Sequence, residues 1–205
     1  LLDKGEKPGL WVEIQTNQGQ WRLEDRYPPE GMTTLALDLG GGLMNVAGTT
    51  TILPNGATGP VYETEPLEED IWIAGLPRLH IDVTTATVGG QIYALLEDCN
   101  ENGSCIHIGH AIMDLRYHEG GTDEQTWLPL IENINAKMEL FSLDAQISAG
   151  HTIKLSLAST GEDYLPASSS SVVTIQEGAG SNLLLDLIDP SEKILFDPPK
   201  CTHTA

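Results

Sequence analysis

Between residues 71 and 98 the chain settles into a regular alternation of apolar and polar positions. Ile71, Ile73, Leu79, Ile81 and Val83 are apolar, whereas Arg78, His80, Asp82 and Thr84 are polar. A period of two sends one set toward a core and the other toward water, as in a half-buried strand. Gln91 to Asp98 is apolar on both faces, through Ile92, Tyr93, Ala94, Leu95 and Leu96, which suits a central strand. The polar run from Cys99 to Cys105 predicts a hairpin tip, with return strands at Ile106–Ile108 and Ala111–Tyr117. No helical repeat competes over these residues, so the stretch reads as a buried antiparallel core.

The flanking sequence repeats the pattern in shorter pieces. Leu10, Val12 and Ile14 alternate with Trp11, Glu13 and Gln15, and Trp21-Arg22 opens a second piece that Tyr27-Pro28-Pro29 ends, because proline cannot serve a central ladder. Leu35, Leu37 and Leu39 alternate before Gly40-Gly41-Gly42. A further short end, Thr50 to Leu53, precedes the turn at Pro54-Asn55-Gly56. Lys137 to Leu143, Thr152 to Ser159, Val172 to Ile175 and Asn182 to Ile188 complete the set, with a turn at Ala149-Gly150-His151. Roughly ten to twelve short strands joined by turns predict an all-β, mostly antiparallel jelly-roll sandwich. It is expected to be a single domain over residues 1–205, with irregular ends at 1–8 and 190–205.

Composition narrows the partners. Ten Lys plus Arg stand against thirty Asp plus Glu, a net charge of −20, which argues against nucleic acid or an anionic membrane as partner. No apolar run approaches the ~20 residues needed to cross a bilayer. The acidity fits either a solvated surface or a cation-binding protein. The chain opens at Leu1 rather than Met, which suggests a processed product or a piece of a longer polypeptide.

The candidate chemistry is thin. A serine hydrolase of the α/β type needs G-x-S-x-G, and none occurs; Gly180-Ser181-Asn182 comes nearest and lacks the second glycine. His107, His110 and His118 are close in sequence, but strand parity puts 107 and 110 on opposite faces, against a shared metal. Asp98 to Gly103 begins like a calcium loop, yet its twelfth position is Gly109 rather than an acid. Cys99 and Cys105 flank the hairpin tip, where they are either a disulfide or free thiols; a disulfide would favour an extracytoplasmic home. Cys201 is left over. Asp114 and Arg116 share a strand face and read as a cross-sheet pair or an interdomain salt bridge.

The order of several motifs resembles a known family. These are Pro66-Leu67-Glu68-Glu69-Asp70 with Ile73-Ala74-Gly75; Gly90 to Asp98 with Asn102-Gly103; His110 to Tyr117; and Gly150-His151-Thr152-Ile153-Lys154-Leu155. Trp21 with Tyr27-Pro28-Pro29, and Gly40-Gly41-Gly42-Leu43, extend the match to most of the chain. The sequence resembles the C-terminal domain of X-Pro dipeptidyl-peptidases, cocaine esterase-like hydrolases and α-amino acid ester hydrolases. It departs at Thr152, where that family usually has Arg, and at Tyr27, where Trp is commoner.

That resemblance implies a galactose-binding-like jelly roll fused behind an α/β-hydrolase domain, which holds the catalytic Ser, Asp and His. The jelly roll would own no catalytic residue, dock on that domain and help wall its substrate pocket. Ile52 and Leu53 fall where the cocaine esterase branch supplies apolar wall residues, and His151 falls at the family's Gly-His turn. No cofactor or catalytic metal is expected, although jelly rolls of this kind sometimes carry a structural calcium. Two other readings stay open: a free-standing carbohydrate- or ligand-binding module of similar fold, with Trp21 and Trp127 as sugar platforms, and a purely structural module that mediates assembly.

Overall fold

The computed structural model describes residues 12–40, 50–54, 58–86, 89–119, 132–161, 163–165, 172–189, 191 and 195–196, with the side chains of 50–54, 58, 179 and 196 excepted. Fifteen strands run through them. In order they are β1 Val12–Gln15, β2 Trp21–Glu24, β3 Thr33–Leu39, β4 Thr50–Pro54, β5 Thr58–Glu63, β6 Ile71–Gly75, β7 Arg78–Thr85 and β8 Gln91–Cys99. There follow β9 Cys105–Asp114, β10 Ile134–Glu139, β11 Leu143–Ile147, β12 Thr152–Ala158, β13 Val172–Gln176, β14 Gly178–Leu187 and β15 Leu195–Phe196. A 3-10 turn, Leu115–Tyr117, follows β9.

Two antiparallel sheets face one another in a jelly-roll-like sandwich. The larger has eight strands, ordered β11-β6-β14-β7-β13-β4 with β10 on β7 and β3 on β14; the smaller is β5-β12-β8-β9. Alternation in the sequence decides which side chains lie between them. From the large sheet come Leu79, Ile81, Val83, Ile175, Leu183 and Leu185; from the small one Ile92, Leu96, Ile153, Leu155 and Tyr62, all fully or almost fully buried. Burying an aliphatic side chain of this size contributes about 1.5–3 kcal/mol, so the sandwich interior dominates the stability. Tyr62 is the polar exception, and its hydroxyl donates to Glu177 Oε1 at 2.9 Å. Burial, with the Glu177 carboxylate beside it, drives its pKa far above the ordinary tyrosine value.

The alternating stretch at 71–83 is two strands. Gly75 adopts φ +103°, reached easily only without a Cβ, and Leu76-Pro77 turns the chain so that β6 and β7 occupy different places in the sheet. The return limb expected as two strands is one, β9, running into the 3-10 turn. Within 190–205, expected to be an irregular end, Leu195 and Phe196 pair with Arg22 and Trp21. This makes a third sheet, β1-β2-β15, which lies over the outer face of β6, where Trp72, Ala74 and Ile188 form a second small apolar cluster with Met32 and Leu195.

Within β14 the pairing with β3 shifts register between Gly178 and Asn182, and Ser181 lies in that step. Its hydroxyl accepts from the Asp82 N–H at 2.9 Å and donates to the Gln176 carbonyl at 2.5 Å. A fully buried serine is thereby satisfied on both sides.

Candidate functional site

The sequence motifs converge in pairs, and each pairing is structural. At one end of the sandwich the Gly150-His151 turn meets the Pro66-Leu67 segment: Gly150 N–H donates to Leu67 O and Leu67 N–H to His151 O, both at 2.8 Å. Asp70 Oδ1 accepts from Ala149 N–H at 2.8 Å. His151 Nδ1 lies 2.6 Å from Asp98 Oδ1 on β8, so three separated motifs close on one corner.

A second convergence holds residues 12–30 to the sandwich. The Tyr27 hydroxyl accepts from Gly75 N–H at 2.9 Å and donates to Leu143 O at 2.8 Å. Burial pushes its pKa up. Beside it Arg22, wholly buried, pairs with Glu24 at 2.8 Å and with Asp144 at 2.7 Å, and its guanidinium sits 4.8 Å over the Trp72 ring. Trp72 Nε1 donates to the other Asp144 oxygen at 2.7 Å. Burial raises the Asp144 carboxyl above its usual range, outweighing Trp72 and Arg22, which pull it down. Asn17 adds a two-way bond to Gln146, at 2.9 and 2.8 Å.

The outer face of the β5-β12-β8-β9 sheet carries exposed apolar and aromatic side chains. Register places Val61, Ser156, Leu95 and His110 in one row across it, and Ala158, Tyr93 and Ile112 in the next. Phe141, 61% exposed, meets the His110 ring edge-on at 4.8 Å, and its N–H donates to the His110 carbonyl. Tyr164 closes over Tyr93 at 5.8 Å. His107 lies on the same face, its Nε2 2.9 Å from His110 Nδ1. Strand parity predicts the reverse, and the reason is a bulge: Leu96 pairs with Gly109 but Glu97 with His107, so Ile108 is an extra residue. Nothing in one sequence marks that extra residue.

An open groove of about 570 Å³ runs along the seam between β9 and β10, lined by Arg78, His80, Met113, Lys137 and Glu139 among others. Its charges are mixed. Arg78 is held by Asp186 at 2.8 Å. His80 is driven below the ordinary histidine value by burial, then by Lys137 and Arg78. Asp114 and Arg116 form a local ion pair at the start of the 3-10 turn, where Asp114 also accepts from the Arg116 N–H. Burial pushes the Asp114 carboxyl up, but the Arg116 hydrogen bonds outweigh it and hold the carboxyl below its usual range.

A family model describing the X-Pro dipeptidyl-peptidase C-terminal non-catalytic domain matches residues 5–181. The chain belongs to that family. Solved structures agree on the fold. A CocE/NonD family hydrolase from Staphylococcus aureus superposes with TM-score 0.72 at 11% identity, over 89% of this chain and 42% of that one. An aminopeptidase from a marine-sediment Thaumarchaeota archaeon gives 0.71 at 14% identity, over 85% and 40%. An α-amino acid ester hydrolase gives 0.56 at 14% identity, over 86% and 36%. The chain thus spans about two fifths of the length of these proteins. No curated protein sequence matches it.

The remaining sequence candidates fall variously on this non-catalytic domain. Ile52 and Leu53 lie in β4 with their backbones opposite Thr174 and Val173, and their side chains are outside the described residues. Cys99 and Cys105 are directly opposite across β8 and β9 and joined by a disulfide. Trp21 sits in a strand rather than on a loop, half-buried, with its indole nitrogen shielded from solvent, which does not suit a sugar platform. Trp127 is outside the described residues. No three His, Cys, Asp or Glu groups among the described residues are placed to share a metal.

Proposed function

We propose that this domain docks on the catalytic portion of a longer hydrolase, an α/β-hydrolase domain, and helps wall its substrate pocket. One observation carries the reading. The chain aligns over 89% of itself with a hydrolase of which it makes up 42%, so most of that polypeptide is left to hold the reaction centre. This fits a domain whose matched family is described as non-catalytic.

The wall is assigned to β4, with Ile52 and Leu53 as its contact residues. Among the described residues β4 pairs only with β13, at the edge of the large sheet, and the chain passes from it into β5 at the edge of the small one. That corner offers a second domain an approach to both layers at once.

The test is kinetic, in the longer polypeptide that contains this chain. Ile52→Ala and Leu53→Ala should lower kcat/KM by roughly fivefold to thirtyfold for substrates with bulky acyl or residue groups, equivalent to about 1–2 kcal/mol of lost apolar contact. The 205-residue chain alone should hydrolyse neither p-nitrophenyl esters nor X-Pro amides. Turnover by a clean preparation, or unchanged kinetics in both variants, defeats the reading.

A further inference from the structure

Docking requires a surface, and the choice of one rests on the docking role proposed above. We propose that the outer face of the β5-β12-β8-β9 sheet, centred on His110, is the surface that seats on the catalytic portion. Three observations single it out.

The first is exposure. Phe141 and Leu165 are 61% and 87% exposed, and Val61 is 47% exposed at the β5 edge of the same face. Contiguous aromatic and aliphatic exposure of this kind marks interaction sites rather than ordinary surface.

The second is that these side chains are held in place before any partner arrives. Phe141 is fixed by its backbone bond to His110. Tyr164 sets its ring 5.8 Å from that of Tyr93, and its backbone is held by its N–H to Gly161 O at 3.1 Å and by the Thr160 hydroxyl to its carbonyl at 2.9 Å. Gln91 Nε2 then donates to Leu165 O at 3.1 Å. A Cβ on Gly161 would lie 2.6 Å from the Tyr93 ring, so only glycine lets the loop come this close. Anchors already ordered lose little freedom on binding.

The third is charge, which selects the occupant. One end of the face carries Glu63 and Glu97, with Lys154 tied to Glu97 at 2.8 Å, and the other carries Asp114 with Arg116 tied to it. A second copy of this chain would bring the same net charge of −20 against it. A flat sugar ring finds no shelf either, because neighbouring rings tilt by 39° to 72°. The fitting partner has an apolar patch of its own and no excess of acid, and on the docking role proposed above that place falls to the catalytic portion, which most of the matching hydrolase's length is left to form.

Hydroxyl-radical footprinting of the 205-residue chain, and of the longer polypeptide that contains it, tests this. Phe141, Tyr164 and Leu165 should be oxidised in the chain alone and lose most of that oxidation in the longer polypeptide. Phe141→Asp in the longer polypeptide should return oxidation to Tyr164 and Leu165, while Ala36→Asp, on the far sheet, should not. Protection confined to another face overturns this assignment and leaves docking standing. No difference anywhere overturns both. Protection in the chain alone that grows with its concentration assigns the face to a second copy and overturns the proposal.

Discussion

Arg22 and Asp144 meet at 2.7 Å with side-chain exposures of 0% and 4%, joining the small third sheet to the edge strand β11. Removing one member strands the other without water. Arg22→Met should therefore cost about 3–5 kcal/mol, whereas Arg22→Met combined with Asp144→Leu should recover only part of it, because removing both also takes a cation from Glu24 and an acceptor from Trp72 Nε1. Urea unfolding followed by tryptophan emission measures both. A single variant costing under about 1 kcal/mol would show that the pair is not what holds this sheet.

Tyr27→Phe deletes one oxygen that serves two partners. The Gly75 N–H is left without an acceptor at a half-buried position, and Leu143 loses a donor. The expected cost is about 1–3 kcal/mol, read from the denaturation midpoint at constant slope.

The Cys99–Cys105 bridge closes a loop with a sequence separation of 6. For a loop that short the chain-entropy estimate is about 2–3 kcal/mol. The Cys99→Ser, Cys105→Ser double variant should lose that much. Dithiothreitol should lower the wild type by the same amount and leave the double variant unmoved.

His80 makes stability depend on pH. Its folded pKa lies below the unfolded value of 6.5, through burial first and then through Lys137 and Arg78. The unfolded chain therefore takes up the proton first as pH falls. Stability from this residue is intact above 6.5 and is lost as pH drops toward the folded pKa. His80→Gln should flatten the change in denaturation midpoint between roughly pH 7.5 and 5. An unchanged slope in the variant would falsify the assignment.

Gly161→Ala should disturb the aromatic face without touching the core, because the added methyl collides with Tyr93. The expected signs are altered near-ultraviolet circular dichroism, an unaltered far-ultraviolet spectrum, and a loss of about 1–3 kcal/mol from overpacking.

Much of the fold is legible in the sequence because period two survives wherever a strand has one wet face. β7 and β12 read directly from Leu79, Ile81 and Val83 and from Ile153, Leu155 and Leu157. β11 carries the same signal in Leu143, Ala145 and Ile147, but the pattern runs it into its neighbour, since Leu140-Phe141 masks the break before it. Arg22 is illegible as a buried residue, because one of its two acids, Asp144, and the Trp72 ring beneath it come from strands far along the chain, and nearby Glu24 alone reads as a surface pair. The exposed face is hidden too. Tyr93, His110, Phe141 and Tyr164 come from separate segments, and the bulge at Ile108 reverses the rule that would place His107.

That single supernumerary residue also sets the far end of the hairpin. Were the ladder to run on from Leu96 and Gly109 without a skipped position, Ile106, not Cys105, would stand across from Cys99, and the two sulfurs would part. Cross-link and paired imidazoles thus share one cause. The oxidised bridge acts as a catch: once closed, it forbids the hairpin from sliding one notch to the even count that would turn His107 to the opposite side of the sheet.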